Sequence, residues 1–255
     1  MPSPITINLV ARETLSERTL KLVFQRADNE PIVYEPGQFF SLHIPTATGQ
    51  VTRSYSVATL TDNIHANMEL EIAATCLDNG QASDYFMHAP LGAELTMTGP
   101  FGALTLPEQL PKRLLLIGTG TGVAPYRSML PLLSRRMKVQ PDTQVILLMG
   151  VRQPEELLYG DDFIHFAKRQ QNFQLLACYS RLPVDAHLHD FERQGRLLQH
   201  LNELEPTAEQ DLVYVCGHPA MVDDVWAYMK QRHFSVRQVK REKYLLSAAA
   251  ASTGG

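Results

Sequence analysis

Leu114-Leu115-Leu116-Ile117-Gly118-Thr119-Gly120-Thr121-Gly122-Val123-Ala124-Pro125 decides how this chain is read. An unbroken apolar run, suited to a parallel strand covered on both faces, breaks abruptly into glycines alternating with threonines. The residues after it, 126–137, have the length and spacing of a helix. A strand, a tight turn and a helix N-terminus together can hold a diphosphate. Glycines let the backbone approach the phosphates, and free amides with the positive end of the helix dipole compensate their charge. The glycines fall at 118, 120 and 122, with Val123 where G-x-G-x-x-G would place its third glycine, so the stretch alone also fits a plain tight connection.

Downstream, strand and helix candidates alternate at 113–117, 124–137, 143–150, 155–170, 173–179, 194–204, 211–216 and 219–232, the rhythm of a parallel α/β sheet. Upstream, six short alternating segments at 5–10, 19–25, 39–44, 54–59, 68–76 and 94–98 are separated by turn residues such as Pro36-Gly37, Asp78-Asn79-Gly80 and Gly99-Pro100. They predict a six-stranded antiparallel β-barrel, interrupted by one helix at 83–88 with Ser83 as its N-cap. A chain of 255 residues accommodates both units. The expected domains are 1–106 and 112–255, joined by a proline-bounded link.

The net charge of −4 argues against nucleic acid as a general partner. The N-terminus lacks a basic region followed by a long apolar core, and no stretch reaches membrane-spanning length, so a cytoplasmic protein without membrane association is expected. Cys76, Cys178 and Cys216 are too scattered for a disulfide framework or an iron–sulfur site, which leaves an organic redox cofactor. His187 and His189 are close but fall in a predicted loop, and no metal site is expected.

Three other stretches carry chemistry. Arg53-Ser54-Tyr55-Ser56 is expected at the start of a barrel strand, after a turn at 47–50. Side chains 53 and 55 would face one side and 54 and 56 the other, so a group touching all four must lie along an edge or bulge. Arg53 suits phosphate, Tyr55 a flat ring and Ser56 a ring nitrogen. The same residues also fit a solvent-facing arginine beside a core tyrosine. Gly80-Gln81-Ala82-Ser83 is a second glycine-then-hydroxyl turn before a helix. Val215-Cys216-Gly217-His218-Pro219 ends an apolar strand in a Cys-Gly-x-Pro turn.

In combination these motifs resemble the ferredoxin–NADP(H) reductase family, in particular its bacterial flavodoxin/ferredoxin branch, over nearly the whole chain. Arg53-Ser54-Tyr55-Ser56 is similar to the family's R-x-Y-S, and Gly118 to Pro125 to its G-T-G-x-G-x-x-P. The resemblance implies an N-terminal FAD-binding barrel and a C-terminal α/β domain for NADP(H). It places Arg53 on the FAD diphosphate with Ser54 beside it, Tyr55 on the flavin, Ser56 near flavin N5, and Gly80 with Ser83 at the diphosphate. It assigns Gly118, Thr119, Gly120, Thr121, Gly122 and Pro125 to NADP. Arg152 stands where an NAD site carries an acid for the ribose 2′-hydroxyl. Ser180-Arg181 and Gly195-Arg196 resemble 2′-phosphate recognition elements, with 182–192 reading as an insertion between them.

Cys216 would lie beside the nicotinamide as a positioning residue, not a nucleophile. Glu242 and Tyr244 have the spacing of a C-terminal acid and an aromatic that covers the flavin, and the tail 245–255 would pass over or near it. The implied activity is that of an FAD-dependent ferredoxin (flavodoxin)–NADP+ reductase. Hydride would exchange between NADPH and flavin N5, and electrons would then pass singly to ferredoxin or flavodoxin. Ser56, Cys216, Glu242 and Tyr244 would surround the reacting centre, with Tyr244 moving aside for the nicotinamide. Lys230, Arg232, Arg237, Lys240, Arg241 and Lys243, with Lys21 and Arg26, would steer such an acidic partner. The alternatives are an NADH-dependent oxygenase reductase component and a flavin-bearing regulatory electron-transfer module. A monomer is expected.

Overall fold

The computed structural model describes residues 3–244 except 48, 64 and 184. Strands β1 (Ile5–Ser16), β2 (Thr19–Arg26), β3 (Phe39–Thr46), β4 (Gly49–Ser56), β5 (Leu70–Thr75) and β6 (Glu94–Phe101) pair antiparallel in the order β4-β3-β6-β1-β2-β5. Alternate side chains, among them Leu9, Leu22, Phe24, Phe40, Leu42 and Ile72, turn into one shared core, so the sheet curls around it. Its two edges meet where Val57 bridges Ile72 and the Ala58 amide donates to the Glu71 carbonyl at 2.8 Å. Helix α1 (Gln81–His88) adds Ala82 and Phe86 to the same core.

Two expectations shift here. The strand predicted at 54–59 is β4, which starts five residues earlier because the β3–β4 hairpin closes at Thr46 opposite Gly49, a glycine at φ 134°. The Arg53–Ser56 motif therefore ends its strand instead of opening it. The N-cap of α1 is Gly80, not Ser83: Asn79 takes a left-handed φ of 59° and turns the chain early. Ser83 Oγ accepts instead from the Leu77 amide at 2.8 Å.

The second half forms a parallel sheet, β10-β9-β8-β7-β11-β12, from β7 (Arg113–Thr119), β8 (Gln144–Val151), β9 (Phe173–Tyr179), β10 (Glu192–Gln194), β11 (Asp211–Gly217) and β12 (Val239–Lys243). Its unbroken apolar strands feed two cores at once. Leu114 and Leu116 face α2 (Ala124–Val139) and α3 (Gly160–Arg169), whereas Leu115 and Ile117 face α4 (Leu197–Glu203) and α5 (Pro219–Gln231). The helix predicted over 155–170 is broken into a 3-10 turn, Pro154–Glu156, and α3, because Tyr159 adopts φ 56°. The one predicted at 194–204 divides likewise into β10 and α4 at Gly195, φ 115°.

The link between the halves is fastened to the second. The Thr105 carbonyl accepts from Tyr214 Oη at 2.6 Å and Lys240 Nζ at 2.8 Å, and the Pro107 carbonyl accepts from Arg136. The Gly37 amide donates across to Ser128 Oγ at 3.1 Å.

Candidate functional site

Two clefts meet between the halves. The first, of about 550 Å³, is walled by the end of β4 and the first turn of α1. Arg53 lines it with Nη1 held by the Thr52 carbonyl at 2.8 Å. Ser54 also lines it, its hydroxyl 3.1 Å from that of Ser41. Tyr55 packs edge-on against Phe86, ring centroids 5.7 Å apart, and burial raises its phenol well above the usual tyrosine range. Ser56 is buried. Gly80 and Ser83 form the opposite wall, at a helix start that no side chain caps.

The second cleft, of about 870 Å³, opens over the carboxyl ends of β7, β8, β9 and β11, where parallel sheets bind ligands. The turn after β7 winds as a 3-10 helix, Gly120–Val123, again with no side-chain cap. Gly120 takes φ 53° and a Cβ there would meet nothing within 4 Å, leaving a backbone concavity open to a ligand. Gly122 answers a different need, since a Cβ would stand 2.2 Å from the Cys216 carbonyl oxygen. Its lack of a side chain lets the turn pass under the end of β11. Thr119 Oγ1 ties the two turns together by accepting from the His218 amide at 3.1 Å.

Arg152, Ser180 and Arg196 all line this cleft. Arg152 is paired with Glu156 at 2.8 Å. Arg181 does not line it, although its amide donates to the Arg152 carbonyl at 3.0 Å. One contributor carries no sequence signal: Ser16, Glu17 and Arg18, at the tip of the β1–β2 hairpin, reach across from the barrel.

The clefts share Tyr244. Its hydroxyl lies 3.0 Å from Ser56 Oγ and 3.0 Å from the Thr121 carbonyl oxygen. The phenol is the donor to both, so its single hydrogen is shared between the Ser56 hydroxyl and the Thr121 carbonyl. The Tyr244 amide donates to the Gly217 carbonyl at 2.9 Å. Cys216 stands in register between Gly118 and Glu242, fully buried, and burial raises its thiol far above the usual range. Burial pushes the Glu242 carboxyl up to about 7.

Residues 6–106 match the oxidoreductase FAD-binding domain and residues 116–226 the oxidoreductase NAD-binding domain. Ferredoxin--NADP reductase B of Sorangium cellulosum is 32% identical over 178 residues, covering 70% of each chain. The chain belongs to the ferredoxin reductase-type family. The toluate 1,2-dioxygenase electron transfer component of Pseudomonas putida is 28% identical over 92% of this chain and 66% of its own length. The structure of a ferredoxin NADP+ reductase from Neisseria gonorrhoeae with bound FAD and NADP superposes with a TM-score of 0.76 at 22% identity, covering 95% of this chain and 99% of that one, and shares the two-domain fold. This is an FAD- and NAD(P)-binding oxidoreductase.

The residues fit what a ferredoxin reductase-type protein must hold. A guanidinium and an uncapped helix start face one cleft, and a Cβ-free turn with an open left-handed glycine faces the other. Among the described residues no helix is long and apolar enough to cross a membrane. The basic cluster expected near the C-terminus is largely spoken for. Lys243 pairs with Asp223 at 2.6 Å, Arg241 covers Trp226, Arg232 covers Tyr228, and Lys240 turns inward to Thr105. On the barrel, Lys21 pairs with Glu13 and Arg26 with Asp28. Lys230 and Arg237 form no ion pair among the described residues.

Proposed function

We propose that the chain is a cytoplasmic, monomeric FAD-dependent ferredoxin (flavodoxin)–NADP+ reductase, with domains 1–106 and 112–255. The observation that carries this reading is the Tyr244 hydroxyl, joining a barrel serine to the carbonyl of the nucleotide turn where the two clefts meet. FAD, when bound, exchanges a hydride with NADP(H) at its central nitrogen and passes electrons one at a time to ferredoxin or flavodoxin.

The protein supplies geometry. Arg53, Ser54, Gly80 and Ser83 hold the FAD diphosphate, while Tyr55 packs on the ring system. Ser56 offers a hydroxyl toward its reacting edge. Gly118 to Gly122 and Pro125 form the turn that takes the coenzyme diphosphate; Arg152, Ser180 and Arg196 line the cleft around its 2′-phosphate, which Arg181 reaches only by turning into the cleft. Cys216 positions the nicotinamide. Glu242, with a carboxyl near 7, holds or releases a proton at neutral pH. Tyr244 covers the site at rest and withdraws when the coenzyme arrives.

Anaerobic mixing of the yellow protein with NADPH or NADH, with kcat/KM compared between them, tests the reading. NADPH is expected to be preferred, and Arg181→Ala and Arg152→Ala to erode that preference. Flavin that neither coenzyme bleaches would end the proposal. A second reading, an NADH-dependent reductase component of an oxygenase, is favoured by two observations: Arg152 is engaged by Glu156, and Arg181 stands outside the cleft. A preference for NADH would select it.

A further inference from the structure

Arg127, early in α2, is only 9% exposed. Its Nη1 donates to the Ala58 carbonyl at 2.5 Å and to Glu71 Oε1 at 2.9 Å, and its Nε donates to Asp162 Oδ2 at 2.6 Å. The guanidinium carbon lies 4.3 Å from the centroid of the Tyr159 ring, whose hydroxyl donates to the same Glu71 oxygen at 2.9 Å. Ala58 and Glu71 belong to the barrel; Arg127, Tyr159 and Asp162 belong to the nucleotide half. One rigid fork of donors therefore binds acceptors on both, which the single ammonium of a lysine cannot reproduce. Beside it Ala58, Ala73 and Ala124 pack together, side chains small enough for β5 and α2 to approach closely.

Each end of this contact is a short, stiff step from a cleft wall. Ala58 lies two residues beyond Ser56. Glu71 shares a face of β5 with Ala73 and Thr75, both of which line the barrel cleft. Arg127 rides on the helix that the Gly120–Val123 turn leads into. A buried ion pair is a poor device for stability, because well-packed apolar residues of the same size serve as well or better. Its geometry is what an apolar pair lacks.

We propose that Arg127 and Glu71 are positioning residues that fix the nucleotide turn against the barrel, and through that placement set how fast the flavin is reduced by coenzyme; this rests on the reductase reading above. The test is the holoprotein carrying Arg127→Met with Glu71→Gln, which removes both charges and leaves Tyr159 its acceptor. Thermal midpoint is expected to stay within about 4 °C of the parent. NADP+ affinity should hold within about threefold, while the change it induces in the flavin absorbance spectrum weakens, and flavin reduction at saturating NADPH slows at least about tenfold. Parental reduction and an unaltered spectral change in the folded variant would overturn the proposal. If that variant does not fold, Arg127→Lys serves: slower reduction with full flavin content supports the proposal, and parental behaviour overturns it. If neither coenzyme reduces the parent, the reductase reading fails on its own. Amide exchange at 57–59 and 124–128 then decides this one, with faster exchange in the variant supporting it and unchanged exchange overturning it.

Discussion

Glu242 and Tyr244 sit two residues apart on the same terminal segment and respond to different perturbations. Burial raises the carboxyl of Glu242 from 4.5 to about 7, so between those values the folded chain binds a proton that the unfolded chain releases. Stability therefore falls as pH rises through that window and levels off above it, by about 3 kcal/mol at most. Glu242→Gln keeps the neutral form at every pH. Urea unfolding of flavin-free protein should show it more stable than the parent at pH 8, with the difference gone below pH 4.5. Tyr244→Ser frees Ser56 and the Thr121 carbonyl and opens the space the ring fills. NADP+ should then bind about tenfold more tightly, near 1.4 kcal/mol, read from titration of the flavin spectrum; unchanged affinity and spectrum would count against a covering role. Cys216 is fully buried and lines neither cleft, but the placing of Arg53, Tyr55 and Ser56 along one cleft wall was legible in the motif that resembles R-x-Y-S. The direction of Arg181 was not, since it depends on how the chain leaves β9, where its amide is drawn to the Arg152 carbonyl.

Elements buried on both sides were the easiest to read. β7, β8 and β11 are apolar almost throughout, and their neighbours in sequence alternate with helices at the spacing of crossovers. β12 escaped notice because Val-Lys-Arg-Glu-Lys has one buried residue in five, an edge strand whose place comes from pairing with β11. β10 is three residues long and has no period to detect. Gly122 shows a further limit: it reads as a phosphate glycine, yet its tightest constraint is the carbonyl of Cys216, ninety-four positions away in the chain. Gly122→Ala must push the turn and β11 apart and is expected to cost about 2–3 kcal/mol, measurable by denaturant melts. Gly120→Ala has open space but a left-handed φ, and should cost about 1 kcal/mol.

Across the whole molecule, two folding units were visible in the change of hydrophobic period near residue 106, but the way they lean on each other was not. The seam depends on Gly37, Thr105, Arg127 and Tyr214, residues far apart in sequence that meet only in space. Charge follows the same pattern. Six basic and three acidic residues lie between 219 and 243, yet most of the cations are locally engaged. On the proposed reading the acceptor is an acidic carrier, and Lys230 and Arg237 are cations of this segment without an ion pair among the described residues, while Arg232 and Arg241 keep their charge over their rings; Lys230→Glu with Arg237→Glu should slow carrier reduction several-fold at low ionic strength and not at high. A rate indifferent to both salt and charge would leave no steering to explain.

The carbonyl of Thr105 is gripped at once by a phenol and an ammonium from two different strands. A connector held in this way is clamped to the nucleotide half and cannot flex against it. On the proposed reading coenzyme enters by the swing of the Tyr244 ring, and X-ray scattering profiles of the loaded and unloaded protein should overlay; profiles that differ would point instead to the parting of the two halves.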